Sequence, residues 1–81
     1  MNETQEKPFM SVWVVYFNPR DFPGRFVARR HDILHDKPDP VASSEHFVRN
    51  TLREVRETIP LGLICMNRSP GDDAKIVETW I

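Results

Sequence analysis

The chain contains little cysteine, little glycine and no long apolar run, and each shortage excludes a class of protein. One cysteine, Cys65, among 81 residues rules out a disulfide within the chain, so we expect a reducing, cytoplasmic compartment. Three separated glycines cannot build a glycine-rich phosphate loop. The longest apolar runs, at 12–17 and 61–66, are far shorter than the roughly 20 residues of a membrane-spanning helix. The polar, acidic start predicts no secretory signal.

The chain also lacks an excess of charge of either sign. Eleven basic and twelve acidic side chains leave a net charge of −1, so no overall field would draw the protein to nucleic acid or to a membrane surface. A composition of 40% apolar and 28% charged residues is typical of a globular protein. We therefore predict one small domain over residues 9–81, preceded by a disordered tail at residues 1–8.

The apolar residues that are present concentrate first between Phe9 and Phe17. This segment is rich in β-branched and aromatic residues, which suit a strand, and both of its alternating faces are apolar. A strand of that kind is typically central and covered on both sides. A turn at 18–24 contains two prolines and Gly24 and leads into a second predicted strand at 25–31, which completes a hairpin.

A stripe of apolar residues at helical spacing follows, made up of Val48, Leu52, Val55 and Ile59. One of the two serines at 43 and 44 is suited to cap a first turn ahead of this stripe, so the pattern predicts a helix over residues 44–58. Two further strands are predicted at 61–66 and 74–81, on either side of a turn that contains a Pro-Gly pair.

These elements predict an α+β domain of ββαββ order, with a four-stranded, mainly antiparallel sheet and one helix packed on one face. We expect the four predicted strands in the spatial order 2-1-3-4. A single helix covers only one face of such a sheet, so the second apolar face needs another cover. The tail together with the 32–42 segment is one solution, and a second copy of the chain, giving a homodimer, is the other.

Two histidines, His31 and His35, are the best candidates in the sequence for a metal site. On a helix they would share one face and could hold a zinc ion with a carboxylate. Pro38 and Pro40 argue against a helix there, and a solvated loop is the simpler interpretation. Cys65 lies among apolar residues, which favours a structural role. We therefore predict no catalytic residue, no bound metal, no cofactor and no enzymatic activity.

Arginines dominate the remaining candidates for a binding surface. Those of the second predicted strand, together with nearby aromatic rings, suggest single-stranded nucleic acid as an alternative partner. Charged side chains on an edge strand also discourage aggregation, which is the simpler interpretation. Three more arginines, Arg49, Arg53 and Arg56, fall on one stripe of the predicted helix. The candidate interaction surface comprises Trp13, Val15, Arg25, Arg29, Arg30, Arg49, Arg53 and Arg56.

Four segments, at residues 13–30, 59–63, 68–73 and 76–80, include the motifs Trp-Val-Val-Tyr, Ile-Pro-Leu-Gly-Leu, Arg-Ser-Pro-Gly-Asp-Asp and Ile-Val-Glu-Thr-Trp. They resemble those of a family of short, uncharacterised bacterial proteins. The resemblance implies a bacterial, cytoplasmic domain that stands alone, and it transfers no catalytic residue. The expected function is a small binding module that self-associates and has a protein partner. Binding of single-stranded nucleic acid is the alternative, and a small metal- or histidine-dependent enzyme comes third.

Overall fold

Five strands and one short helix make up residues 9–81, the part of the chain that the computed structural model describes. The elements are β1 (Met10–Phe17), β2 (Phe26–Ile33), β3 (Val41–Arg49), α1 (Leu52–Arg56), β4 (Cys65–Asn67) and β5 (Ile76–Trp80). The predicted tail at residues 1–8 lies outside the described residues. Among residues 9–81, no helix is long and apolar enough to cross a bilayer.

The strands form one antiparallel sheet in the order β3-β2-β1-β5-β4. β1 is central, as its composition predicts, and it pairs with β2 along its whole length. The hairpin turn between them uses two residues at positive φ, Asn18 (58°) and Gly24 (73°). The amide of Gly24 donates to the side chain of Asn18 at 2.7 Å, which closes the turn and sets the register of the hairpin.

The predicted helix over residues 44–58 is wrong in its first half. Residues 41–49 form β3, and α1 begins only after Thr51. The backbone of Thr51 is extended, and its hydroxyl accepts the amide of Glu54 at 3.1 Å while donating to the Glu54 carboxylate at 3.0 Å. This N-cap at Thr51 marks the true start of the helix. Val48 shares the helical spacing of the apolar stripe but instead pairs with Val27 on β2.

The predicted four strands and their order also need correction. β3 adds a fifth strand, and the C-terminal strand β5 lies beside β1, where the strand at 61–66 was expected. That expected strand shortens to Cys65–Asn67 and takes the edge position. A three-residue strand can pair few backbone groups, whereas β5 pairs with a neighbour on each side. The longer strand therefore occupies the interior position, and the short strand lies at the edge.

The core lies between the sheet and the segment that contains α1. Val55 and Ile59 pack against Trp13, Val15 and Ala28, and all five side chains are buried. Partly buried residues complete this cluster, namely Phe26, Phe47, Leu52, Leu63, Val77 and Trp80. Successive residues of a strand point to opposite faces, so Trp13 and Val15 define the helix-covered face of the sheet. Their neighbours Val12 and Val14 lie on the other side, which we call the open face.

Candidate interaction surface

Two residues of the predicted interaction surface, Trp13 and Val15, lie in the core. Trp13 is 5% exposed and Val15 is 0% exposed, and the Trp13 ring stacks on Phe47 with ring centroids 5.8 Å apart. The prediction that they form a contact surface is therefore wrong, because the helix segment packs on their side of the sheet. The alternate residues of β1 face outward instead.

The arginines of β2 do not form one basic surface. Arg29 and Arg30 are adjacent in a strand, so their side chains lie on opposite faces. Arg29 donates to the Ser43 carbonyl at 3.1 Å and lies 3.9 Å from the Asp21 carboxylate. Arg30 forms ion pairs with Asp32 and Glu45. Arg25 is exposed in the turn ahead of the strand. Both strand arginines therefore interact with other residues of the protein, which weakens the attraction they would exert on an anionic ligand.

The three arginines assigned to a helix stripe are also separated. Arg49 is the last residue of β3, and its guanidinium carbon lies 5.7 Å from the centroid of the Phe47 ring. Arg53 is exposed on α1. Arg56 reaches the sheet and binds the buried carboxylate of Glu78. The predicted stripe is wrong because Arg49 belongs to a strand.

Glu78 is the centre of a buried polar network that was not predicted from the sequence. Its side chain is on the helix-covered face beside Val15, and the residue is 4% exposed. Arg56 donates to both carboxylate oxygens at 3.0 and 2.7 Å, and the indole of Trp80 donates at 2.8 Å. These hydrogen bonds, first among them those from Arg56, lower the pKa of Glu78. An acidic residue between apolar positions of a strand is the signal that could have identified it.

Cys65 lies opposite Trp80 on the same face, next to this network. Burial, together with the nearby charge of Glu78, raises the pKa of the Cys65 thiol. A raised pKa disfavours the nucleophilic thiolate. The structural role that its apolar neighbours predict stays a prediction.

The two candidate metal ligands do not converge. His31 lies on the open face, where its Nε2 is 3.1 Å from the Tyr16 hydroxyl. His35 follows the strand and contacts Phe9 edge to face, with ring centroids 5.2 Å apart. Across residues 9–81, no three His, Cys, Asp or Glu side chains lie close enough to hold a metal ion. Burial and then the charge of Arg29 lower the pKa of His31, while burial raises the pKa of Tyr16.

Another part of the chain covers the half of the open face that β2 and β3 form, but not the half that β1 and β5 form. Above β2 and β3, the turn at 18–25 brings Phe22 against His46, with ring centroids 5.6 Å apart, and Asp21 toward Arg29. Val27, on this side, is 2% exposed. Over β1 and β5 the face instead presents partly exposed side chains. They are Val12, Val14, Tyr16, Ile76 and Thr79.

Large exposed apolar side chains collect at one corner of this uncovered half. Ile64 and Ile81 exchange two backbone hydrogen bonds, of 2.8 and 2.9 Å, so their side chains share a face. Met66 pairs with Thr79 on that same face. Ile64 is 69% exposed, Met66 is 49% exposed and Ile81 is 43% exposed. We call this trio the exposed corner. It continues the apolar surface of Val12 and Val14.

Taken together, these features define a small α+β domain with an antiparallel sheet, one short helix and an apolar surface on its uncovered side. No pocket is present in the surface that residues 9–81 form. Comparison with known proteins identified no relative: no family model, curated protein or solved structure matched the chain. The predicted membership of a bacterial family stays a prediction.

Proposed function

We propose that this protein is a small interaction module that works by binding protein, and that its first partner is a second copy of the chain. The observation that carries this proposal is the exposed corner of Ile64, Met66 and Ile81 and its continuity with the open face. Contiguous exposed apolar surface on a folded domain typically marks a contact with another protein. Its burial would release ordered water, which is the main driving force for association.

Within residues 9–81, the segments that cover part of the open face leave the exposed corner accessible to a partner. The turn at 18–25 protects the β2 and β3 side of the open face, but the exposed corner lies at the opposite margin, on β4 and β5. The 32–42 segment, expected as a cover, joins β2 to β3 and so lies at the end of the sheet away from β4. A second copy supplies apolar surface of the same kind.

Binding of single-stranded nucleic acid has less support. A nucleic-acid surface needs cations and stacking rings on one side of the sheet, but Arg29 and Arg30 face opposite sides and each has a carboxylate neighbour. We expect a single-stranded oligonucleotide to produce no NMR chemical-shift change even at low salt, where phosphate contacts are strongest. Shifts confined to β2 at low salt that vanish at high salt would favour the nucleic-acid alternative.

Sedimentation equilibrium over a wide range of protein concentration tests self-association. The wild-type chain should approach twice the monomer mass as concentration rises, and added salt should not reverse this, because the contact is apolar. Met66→Glu should remain monomeric under the same conditions, since it places a charge in the exposed corner. Phe9→Glu is the matched control, because Phe9 is a 65% exposed apolar residue elsewhere. A wild-type chain that stays monomeric throughout would refute the proposal.

A further inference from the structure

The two edges of the sheet differ in how well they are protected. β3, at one edge, is irregular: its register with β2 shifts between Arg29 and His31. Two backbone carbonyls of β3 also accept hydrogen bonds from side chains. Arg29 donates to the carbonyl of Ser43 at 3.1 Å, and His46 donates to the carbonyl of Ser44 at 2.8 Å. Irregularities and charged side chains of this kind keep an edge strand from pairing with another chain.

β4, at the other edge, lacks these protections. Ile64 exchanges both of its backbone hydrogen bonds with Ile81. Hydrogen-bonded and non-hydrogen-bonded pairs alternate along an antiparallel ladder, so the N–H and C=O groups of Leu63, Cys65 and Asn67 point away from β5. None of the hydrogen bonds found among residues 9–81 engages these outward groups. They form a short, regular row of donors and acceptors beside the exposed corner.

We propose that β4 pairs antiparallel with β4 of a second copy, about a two-fold axis at Cys65. This inference rests on the proposed self-association and specifies its geometry. The outward N–H and C=O of Cys65 would bond to the same groups of its counterpart, and two five-stranded sheets would join into one of ten strands. The contact is isologous, so it closes as a dimer rather than growing into a filament.

The side chains of β4 complement one another in this register. Ile64 of one copy lies opposite Met66 of the other, and the reverse pair follows by symmetry. These two residues, 69% and 49% exposed in the single chain, would cover each other on the open face. No charged residue occurs from 61 to 67, so pairing brings no like charges together there. β3, in contrast, carries exposed Glu45 and Arg49.

The same register provides a direct chemical readout. Residues that form a hydrogen-bonded antiparallel pair have Cα atoms about 5.5 Å apart, which lies within the range that a disulfide spans. Cys65 and its counterpart would share the helix-covered face. Mild oxidation of the wild-type chain with diamide should therefore give a disulfide-linked dimer, with the diamide reduced as the two thiols are oxidised.

Diamide cross-linking and sedimentation, applied to three proteins, test this geometry. The wild-type chain should dimerise and cross-link. Ile64→Lys should cross-link poorly and raise the dimer dissociation constant by at least about tenfold, since lysine on an edge opposes pairing. Val41→Lys, a change at a 42% exposed apolar residue of the protected edge, should behave as wild type. Hydrogen exchange gives a readout without any variant: the Cys65 amide should gain protection as the wild-type concentration rises.

The possible failures are distinguishable. A wild-type chain that is monomeric at every concentration overturns both the proposed function and this geometry. A wild-type dimer whose Cys65 amide stays unprotected and whose Cys65 does not cross-link overturns the β4 pairing alone. That result would assign the contact to face-to-face packing of the open face.

Discussion

The ion pair between Arg56 and Glu78 offers the sharpest test of how the helix segment is held on the sheet. Arg56→Ala removes two donors from a carboxylate that is 4% exposed and leaves the indole of Trp80 as a donor that remains in the buried site. We expect this change to destabilise the fold much more than the truncation of a typical surface arginine. Arg53→Ala, an exposed arginine on the same helix, is the matched control.

The expected magnitude follows from the burial of the two partners. Breaking a fully buried pair costs about 3–5 kcal/mol, because a charge is left without compensation. The Arg56 side chain is 48% exposed, so water can replace part of its interaction, and we reduce the expected loss to about 2 kcal/mol. For a domain of this size that corresponds to a fall of about 10 °C in Tm. Arg53→Ala should cost less than about 0.5 kcal/mol.

Urea unfolding followed by tryptophan fluorescence provides the measurement, at one fixed protein concentration because association adds to apparent stability. A double-mutant cycle with Glu78→Gln isolates the pair itself, and we expect a coupling free energy of about 1–2 kcal/mol. A coupling below about 0.5 kcal/mol, or equal losses for Arg56→Ala and Arg53→Ala, would refute the role given to this pair.

The pair also predicts how the stability depends on pH. Arg56 lowers the pKa of Glu78 in the folded protein, so the folded state holds this proton less tightly than the unfolded state does. The stabilisation is therefore present above the unfolded pKa of about 4.3 and is lost as pH falls through the folded value. The difference between wild type and Arg56→Ala should be complete at neutral pH and shrink in acid. A difference that is constant with pH would contradict this explanation.

Three further predictions test the helix and the open face. Val55→Ala, at the fully buried residue of α1, should reduce the free energy of unfolding by about 2 kcal/mol, measured in urea, since it removes methyl groups and leaves a cavity. Thr51→Ala should cost about 1 kcal/mol in the same assay through loss of the helix cap, whereas an unchanged midpoint would contradict the capping role. Arg29→Gln should raise the pKa of His31 in an NMR titration, because the arginine charge disfavours protonation of the ring. Burial and then the charge of Arg29 lower the pKa of His31 in the folded protein, so the contribution of His31 to wild-type stability should fall as pH drops below about 6.5, the unfolded histidine value.

Much of the sheet was predictable from local sequence. The density of β-branched and aromatic residues from Phe9 to Phe17 indicates a strand with two apolar faces, and such a strand belongs in the interior of a sheet. Proline and glycine in the following turn indicate the hairpin. The C-terminal strand, predicted at 74–81, is present as Ile76–Trp80. These features depend on residues close together in the chain, so the sequence pattern is enough.

The sequence predicted that an apolar surface would lack a cover, but not which residues form it. An apolar strand and a single helix imply that one face lacks a cover, but which alternate set of β1 residues the helix segment buries depends on its connection to the sheet. The structure buries Trp13 and leaves Val12 and Val14 on the open face. The exposed corner could not be anticipated, because it forms where Ile64 pairs with Ile81, two residues that are distant in the chain.

Local sequence is therefore enough to assign the first, second and last strands, the turn between the first two, and the apolar positions that need a cover. Contacts between distant residues determine the other elements. Residues 44–49 satisfy helical spacing, yet pairing of Phe47 with Ala28 and of Val48 with Val27 makes them a strand. The order of strands and the burial of Glu78 were decided in the same way. Each depends on partners distant in the chain, and the free energy of those contacts outweighs local preference.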